Sequence, residues 1–230
     1  VGQTEAPLLV RPFISSMTKS ELMSVMVGGF ATVAGGILAI YVQWLTDIPG
    51  IAGHLLAASV MSAPAALVVA KIIYPELESS KTQGDFNINI EKANSNAMEA
   101  LASGATDGLK LAANVAGMLI AFISIIAMFN YLLSFANTSI DQILGLLFQP
   151  LAWTMGIPWE DSAIVGTLMG KKIAFTELIA FGDLKNIIAT GQISDRSALI
   201  ASYALCGFAN FGSIGIQLGG IGGMAPERKK

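Results

Sequence analysis

The sequence holds a single cysteine, Cys206, and a single histidine, His54. One cysteine excludes an intrachain disulfide and a cysteine cage for zinc, and Cys206, set in an apolar stretch, reads as a small core residue. Neither Cys206 nor His54 stands beside an acid, so a membrane enzyme built on a nucleophile and base, or on a metal cage, has no visible constellation. Charge is the second shortage. Asp, Glu, Lys and Arg make up 13% of the residues, against roughly 25% in soluble domains. The net charge of -3 is small, and the basic residues are scattered instead of clustering with aromatics, which gives a nucleic-acid surface no support. No basic segment with a cleavage site comes after Val1, so no signal peptide is expected there. The chain reads as a fragment, with Glu227 to Lys230 as a polar loop cut short.

What is present is long apolar sequence. Leu22 to Thr46, Ile51 to Ala70, Leu111 to Ile140 and Ser197 to Ala225 contain no Asp, Glu, Lys or Arg. Crossing a bilayer takes about 20 such residues at about 1.5 Å rise each. A soluble core helix of that length would carry a polar stripe, and these do not. The reading is therefore an all-α, multi-pass membrane protein. Two of the stretches look interrupted. Gly28, Gly29, Gly35 and Gly36 surround Thr32 in the first, and Gly207, Gly212, Gly215, Gly219, Gly220, Gly222 and Gly223 crowd the last around Asn210. Each glycine weakens a helix by about 1 kcal/mol.

The remaining segments organise around these spans. Val1 to Ile14, with Pro7 and Pro12, is too short to cross alone. Asp47 to Gly50 turns the first span into the second, making a helical hairpin. Glu76 to Lys110 is polar and becomes an amphipathic interfacial helix from near Asn94. Leu111 to Ala136 is an evenly apolar scaffold helix. Thr138 to Asp161, with Trp153 and Trp159, reads as an interfacial aromatic segment. Ser162 to Gly170 and Ile173 to Gly182 are half-length pieces separated by Lys171 and Lys172. Such a pair makes a re-entrant hairpin, tolerated only where its tip is buried in protein or lines a watery cavity. The basic loops 11–19, 71–110 and 228–230 are expected on the cytoplasmic side, although Lys185 and Arg196 then fall outside.

The two ends of the chain echo one another. Phe30-Ala31-Thr32-Val33-Ala34-Gly35 resembles Phe208-Ala209-Asn210-Phe211-Gly212-Ser213, and each comes after a Thr-Glu pair, Thr4-Glu5 or Thr176-Glu177. With this orientation the two spans run in opposite directions. The architecture is then an inverted repeat of re-entrant hairpins and broken transmembrane helices, with a binding site near the midplane.

Several blocks carry a resemblance. Gly2-Gln3-Thr4-Glu5-Ala6-Pro7, Glu99-Ala100 with Gly104-Ala105-Thr106-Asp107-Gly108 and Leu111-Ala112-Ala113-Asn114-Val115, Gly166-Thr167 to Glu177, and Gly207-Phe208-Ala209-Asn210 to Gly219-Gly220 resemble the concentrative nucleoside transporters across nearly the whole chain. The resemblance implies a bacterial inner-membrane nucleoside/cation symporter of elevator type, a homotrimer coupled to sodium or protons, with no cofactor; the family's N-terminal helices and last helix are missing. It implies Gln3 and Thr4 at the nucleobase, Glu5, Glu177, Asn210 and Ser213 around base and ribose, and Phe208 beside the sugar. It also implies a sodium site at the carbonyls of Val1 and Val33 and the hydroxyl of Thr32. Residues 1–73 would form the first repeat of a transport domain, 74–160 the amphipathic and scaffold helices, and 161–230 the second repeat.

Blander readings stand beside these. Glu5 and Glu177 would also serve as structural acids satisfied by backbone amides, although an acid at the bilayer centre costs at least about 2.5 kcal/mol and usually marks a pathway. Asn210 and Ser213 would also bond a neighbouring helix. His54 reads as an interfacial residue, and Lys171 and Lys172 as serving the hairpin turn or snorkelling. An ion channel, or a carrier of another solute, is the alternative built on the same hairpins.

Overall fold

A computed structural model describes residues 10–80 and 95–228. The expectations for Val1, Gln3, Thr4 and Glu5 fall outside that range. All regular structure in the described residues is helical. It begins with the short α1 (Arg11–Ile14), then α2 (Lys19–Ala31), α3 (Gly35–Trp44) and α4 (Ile51–Ile73). Next come α5 (Ala97–Ser134), α6 (Ile140–Thr154), α7 (Trp159–Ala174), α8 (Glu177–Ala189), α9 (Asp195–Leu205) and α10 (Phe211–Met224).

Local chemistry sets many of these ends. Thr18 starts α2 with a capping box: its hydroxyl accepts from the Glu21 N–H at 3.1 Å, and the Glu21 carboxylate accepts from the Thr18 N–H at 2.8 Å. The Asn96 side chain likewise accepts from the Glu99 N–H to start α5. Both glycine-rich spans are broken, as expected. The first is extended at Thr32 and Ala34, and the last is interrupted from Cys206 to Asn210. Lys19–Trp44, Ile51–Ile73 and Ala97–Ser134 are long and apolar enough to cross a membrane. The outer faces of the last two carry bare apolar side chains, such as Ile72 at 73% and Ile120 at 68% exposure, an arrangement suited to a lipid solvent.

Three expectations change. The amphipathic segment and the scaffold span are one continuous helix, α5, about 57 Å long at 1.5 Å per residue, because nothing between Ala97 and Ser134 breaks the hydrogen-bond ladder. The segment 138–161 is largely helical: α6 runs antiparallel to α7 at very close range. A methyl group on Gly166 would lie 2.6 Å from the Gly145 carbonyl oxygen, and one on Gly170 2.5 Å from that of Asp141, so these backbones meet where side chains are missing. The hairpin turn is not at Lys171 and Lys172. These lysines continue α7, and the chain turns at Phe175 and Thr176. The arms α7 and α8 measure about 24 and 20 Å, still short of the roughly 30 Å of hydrocarbon.

The largest core joins α3, α7, α8 and α9 and the start of α4, around Tyr41, Leu55, Leu168, Phe181 and Leu205. Beside it, α10 lies antiparallel to α5. Asn114, Met118 and Phe122 of α5 face Gly223, Gly219 and Gly215 of α10, a four-residue ridge set on a four-residue row of glycines.

Candidate functional site

The two breaks and the hairpin turn converge. Gly207 sits in the second break at φ +107, where a side chain is strained, and a methyl group there would lie 3.1 Å from the Ala31 carbonyl oxygen and 3.2 Å from that of Phe30. The interruption in the last span therefore rests directly on the end of α2, at the edge of the first interruption.

Glu177 opens α8, with Thr176 as its N-cap. A carboxylate is favoured at this end of a helix, where N–H groups and the dipole are positive. Its oxygen accepts a 3.1 Å hydrogen bond from the Asn210 side-chain amide, and Glu177 is 5% exposed. Asn210 is held in turn as the N-cap of α10. Its side-chain oxygen accepts from the Ser213 N–H at 2.7 Å, and its own N–H donates to the Ser213 hydroxyl at 2.9 Å. Asn210 thus serves both the start of α10 and the carboxylate on the neighbouring helix α8, as the blander reading had it, and Ser213 completes the cap.

Lys172 contributes the opposite charge. Its ammonium donates to the carbonyls of Ala204 at 3.0 Å and Cys206 at 3.3 Å, closing the C-terminal end of α9, where a cation is favoured. It also attracts Glu177. Lys171 instead joins the hairpin arms through Asp183 at 2.6 Å. His54 has a partner as well: its Nδ1 lies 2.9 Å from the Tyr203 hydroxyl, tying α4 to α9.

A cavity of about 190 Å³ opens on this cluster, lined by Val33, Ile37, Tyr41, Glu177 and Phe208 among others. A neighbouring one of about 220 Å³ is bounded by Phe30, Ile173, Asn210 and Ser213. The expected residues Val33, Glu177 and Phe208 share the first cavity, while Asn210 and Ser213 line the second. Thr32 donates to the Gly28 carbonyl at 3.0 Å, which leaves its oxygen lone pairs available to a hard cation. Among the described residues no group of three or more His, Cys, Asp or Glu gathers. Lys172, Ile37 and Tyr41 were not among the expected residues. A signal did exist for the last two, since Val33, Ile37 and Tyr41 recur every four residues along one face.

Residues 54–230 match the family model described as Na+ dependent nucleoside transporter C-terminus. The chain is 42% identical over 252 residues to Solute carrier family 28 member 3 of Mus musculus, covering all of this chain and 35% of that protein. It is 41% identical over 251 residues to Sodium/nucleoside cotransporter 1 of Sus scrofa, covering all of this chain and 38% of the relative. To the uncharacterized transporter YutK of Bacillus subtilis (strain 168) it is 41% identical over 237 residues, covering 100% of this chain and 57% of that one. The chain thus spans between about a third and somewhat over half the length of these curated relatives. Among solved structures, a double variant of CNTnw in an outward-facing state superposes with a TM-score of 0.86 at 42% identity, over 100% of this chain and 55% of that one. CNTnw in an inward-facing, substrate-bound state gives 0.75 at the same identity and coverage, so the helices here are arranged more like the former.

Proposed function

The chain belongs to the Na+-dependent nucleoside transporter family, a family of multi-pass membrane proteins, and on that premise we propose that it holds the substrate-carrying part of a cation-coupled nucleoside symporter. The activity is translocation across the cytoplasmic membrane, with no catalytic step and no resident cofactor. The coupling ion is sodium or a proton. The observation that carries the reading is the buried Glu177 carboxylate, fixed by Asn210 between two broken helices and open to a cavity lined by Val33 and Phe208.

The chemistry suits a nucleoside. An ionised carboxylate accepts hydrogen bonds from ribose hydroxyls, and a hydrogen bond to a charged group is worth about 1.5 to 3 kcal/mol net. Phe208 offers an apolar surface to the sugar, and Asn210 and Ser213 offer polar atoms close by. Gln3 and Thr4 are assigned to the nucleobase and Glu5 to the base and ribose, on the strength of the family resemblance. The carbonyls of Val1 and Val33 and the Thr32 hydroxyl take the cation, which as sodium prefers oxygen ligands.

Movement takes place by an elevator scheme. Residues 1–73 and 161–230 travel as a transport domain against the scaffold helix α5, within a homotrimer; α6, expected with the scaffold as part of 74–160, moves with them, because its backbone packs directly on that of α7. Support comes from the contact of α10 with α5. Because the ridge Asn114, Met118, Phe122 and the glycine row repeat at the same interval, a shift of one helical turn again seats side chains over glycines.

The test is transport by the full-length protein in proteoliposomes. Radiolabelled uridine should accumulate against its gradient when sodium or protons are supplied outside. Absence of accumulation under both gradients removes the proposal.

A further inference from the structure

The functional reading leaves Tyr41 without a part, although it lines the same cavity as Glu177. Its side chain is 0% exposed. The ring stacks on Phe181 with centroids 3.9 Å apart and planes 14° from parallel, so the phenol is held in place by an aromatic neighbour on α8. Its hydroxyl has no hydrogen-bond partner among the described residues. Burying a hydroxyl unpaired costs stability, and phenylalanine would fill the same space without that cost. The Glu177 carboxylate is close enough for its charge to act on the phenol, but the contact between them falls short of a well-formed hydrogen bond, so the phenol is free to turn to a better acceptor.

A phenol donates one hydrogen bond, and an ionised carboxylate only accepts. Set side by side in an apolar pocket walled by Val33, Ile37 and Phe208, the pair is complementary to two adjacent hydroxyls on a ring. One hydroxyl donates to Glu177. The next accepts from Tyr41. We infer that Tyr41 is a specificity residue that recognises a vicinal diol together with Glu177, its phenol donating to the second hydroxyl. The inference rests on the nucleoside reading for the source of that diol, which is then the 2′,3′-diol of ribose.

Tyr41→Phe isolates the hydroxyl, because the ring and its stack on Phe181 remain. Binding of uridine, 2′-deoxyuridine and 3′-deoxyuridine to the full-length protein is measured by calorimetry, with the unfolding midpoint recorded in parallel. The substitution should weaken uridine about five- to tenfold and leave one of the two deoxy analogues unaffected, while the midpoint holds or rises. A purely structural tyrosine would leave all three affinities at the parental values, and that result overturns the inference alone. Equal losses for all three ligands overturn it too, since they mark a change in pocket shape. A parent protein that binds none of the three overturns the nucleoside reading and Tyr41's role together.

Discussion

The Asn210 amide donates a 3.1 Å hydrogen bond to the Glu177 carboxylate across 33 residues of chain. That bond links the turn of the α7–α8 hairpin to the start of α10, so the acid cannot shift without the broken helix. A ligand that engages Glu177 is therefore sensed by both elements.

Glu177→Gln keeps the shape of the side chain and removes its charge. Ribonucleoside affinity should fall roughly ten- to a hundredfold, the equivalent of about 1.5 to 3 kcal/mol. Ligands with a deoxyribose, or the bare base, should lose less. Calorimetric titration of the full-length protein decides this, and equal losses for all ligands would reject a sugar-reading carboxylate.

The neighbouring lysines should separate in their effects. Lys172→Met strips two carbonyls of α9 of their donor and should lower stability by about 1 to 3 kcal/mol. Lys171→Met breaks an ion pair whose side chains are 32% and 35% exposed, for which about 1 kcal/mol or less is expected. Thermal unfolding of both variants in detergent gives the order. A larger loss at Lys171 would contradict the capping role of Lys172.

Glycines should divide according to what lies above them. Gly166→Ala places a methyl group 2.6 Å from the Gly145 oxygen and 2.8 Å from the Gln149 nitrogen, so α6 and α7 must part, at a cost of about 1 to 3 kcal/mol. Gly117→Ala on α5 meets nothing within 4 Å and should gain up to about 1 kcal/mol from helix propensity. Unfolding midpoints moving in the same direction would refute the close α6–α7 contact.

A cross-link tests the motion. A methyl group on Gly219 would lie 3.1 Å from Met118 Cγ, one bond from Met118 Cβ, so cysteines at the two positions are neighbours across the α5–α10 contact, as a disulfide requires. In a Cys206→Ala background, Met118→Cys with Gly219→Cys should oxidise to a protein that binds nucleoside but does not take it up, with reductant restoring uptake. Continued uptake by the oxidised protein would show that α5 and α10 do not slide.

Much of this was legible in advance because it is local. The shortage of charge and the length of the apolar runs identify lipid as the solvent wherever those runs end up. Glycines around Thr32 and Asn210 weaken the helix at those points whatever surrounds them. Glu177 after Thr176 marks a helix start with a carboxylate, and its place in an apolar context marks it as costly. The misplaced hairpin turn has an equally local origin. Two lysines looked like a boundary, but each has a partner, Asp183 or the α9 carbonyls, and a lysine so paired continues a helix at little cost.

Membrane residence, the two breaks and the acid at the hairpin were thus determined by residue types and their near neighbours. The tertiary structure alone decided that Gly207 lies on the carbonyls of Phe30 and Ala31, that Asn210 grips Glu177, and that Tyr41 stacks on Phe181 beside the same cavity. These contacts join segments far apart in the chain, and their geometry depends on how every intervening helix packs. No periodicity or local preference encodes that outcome, because it is a property of the assembled core.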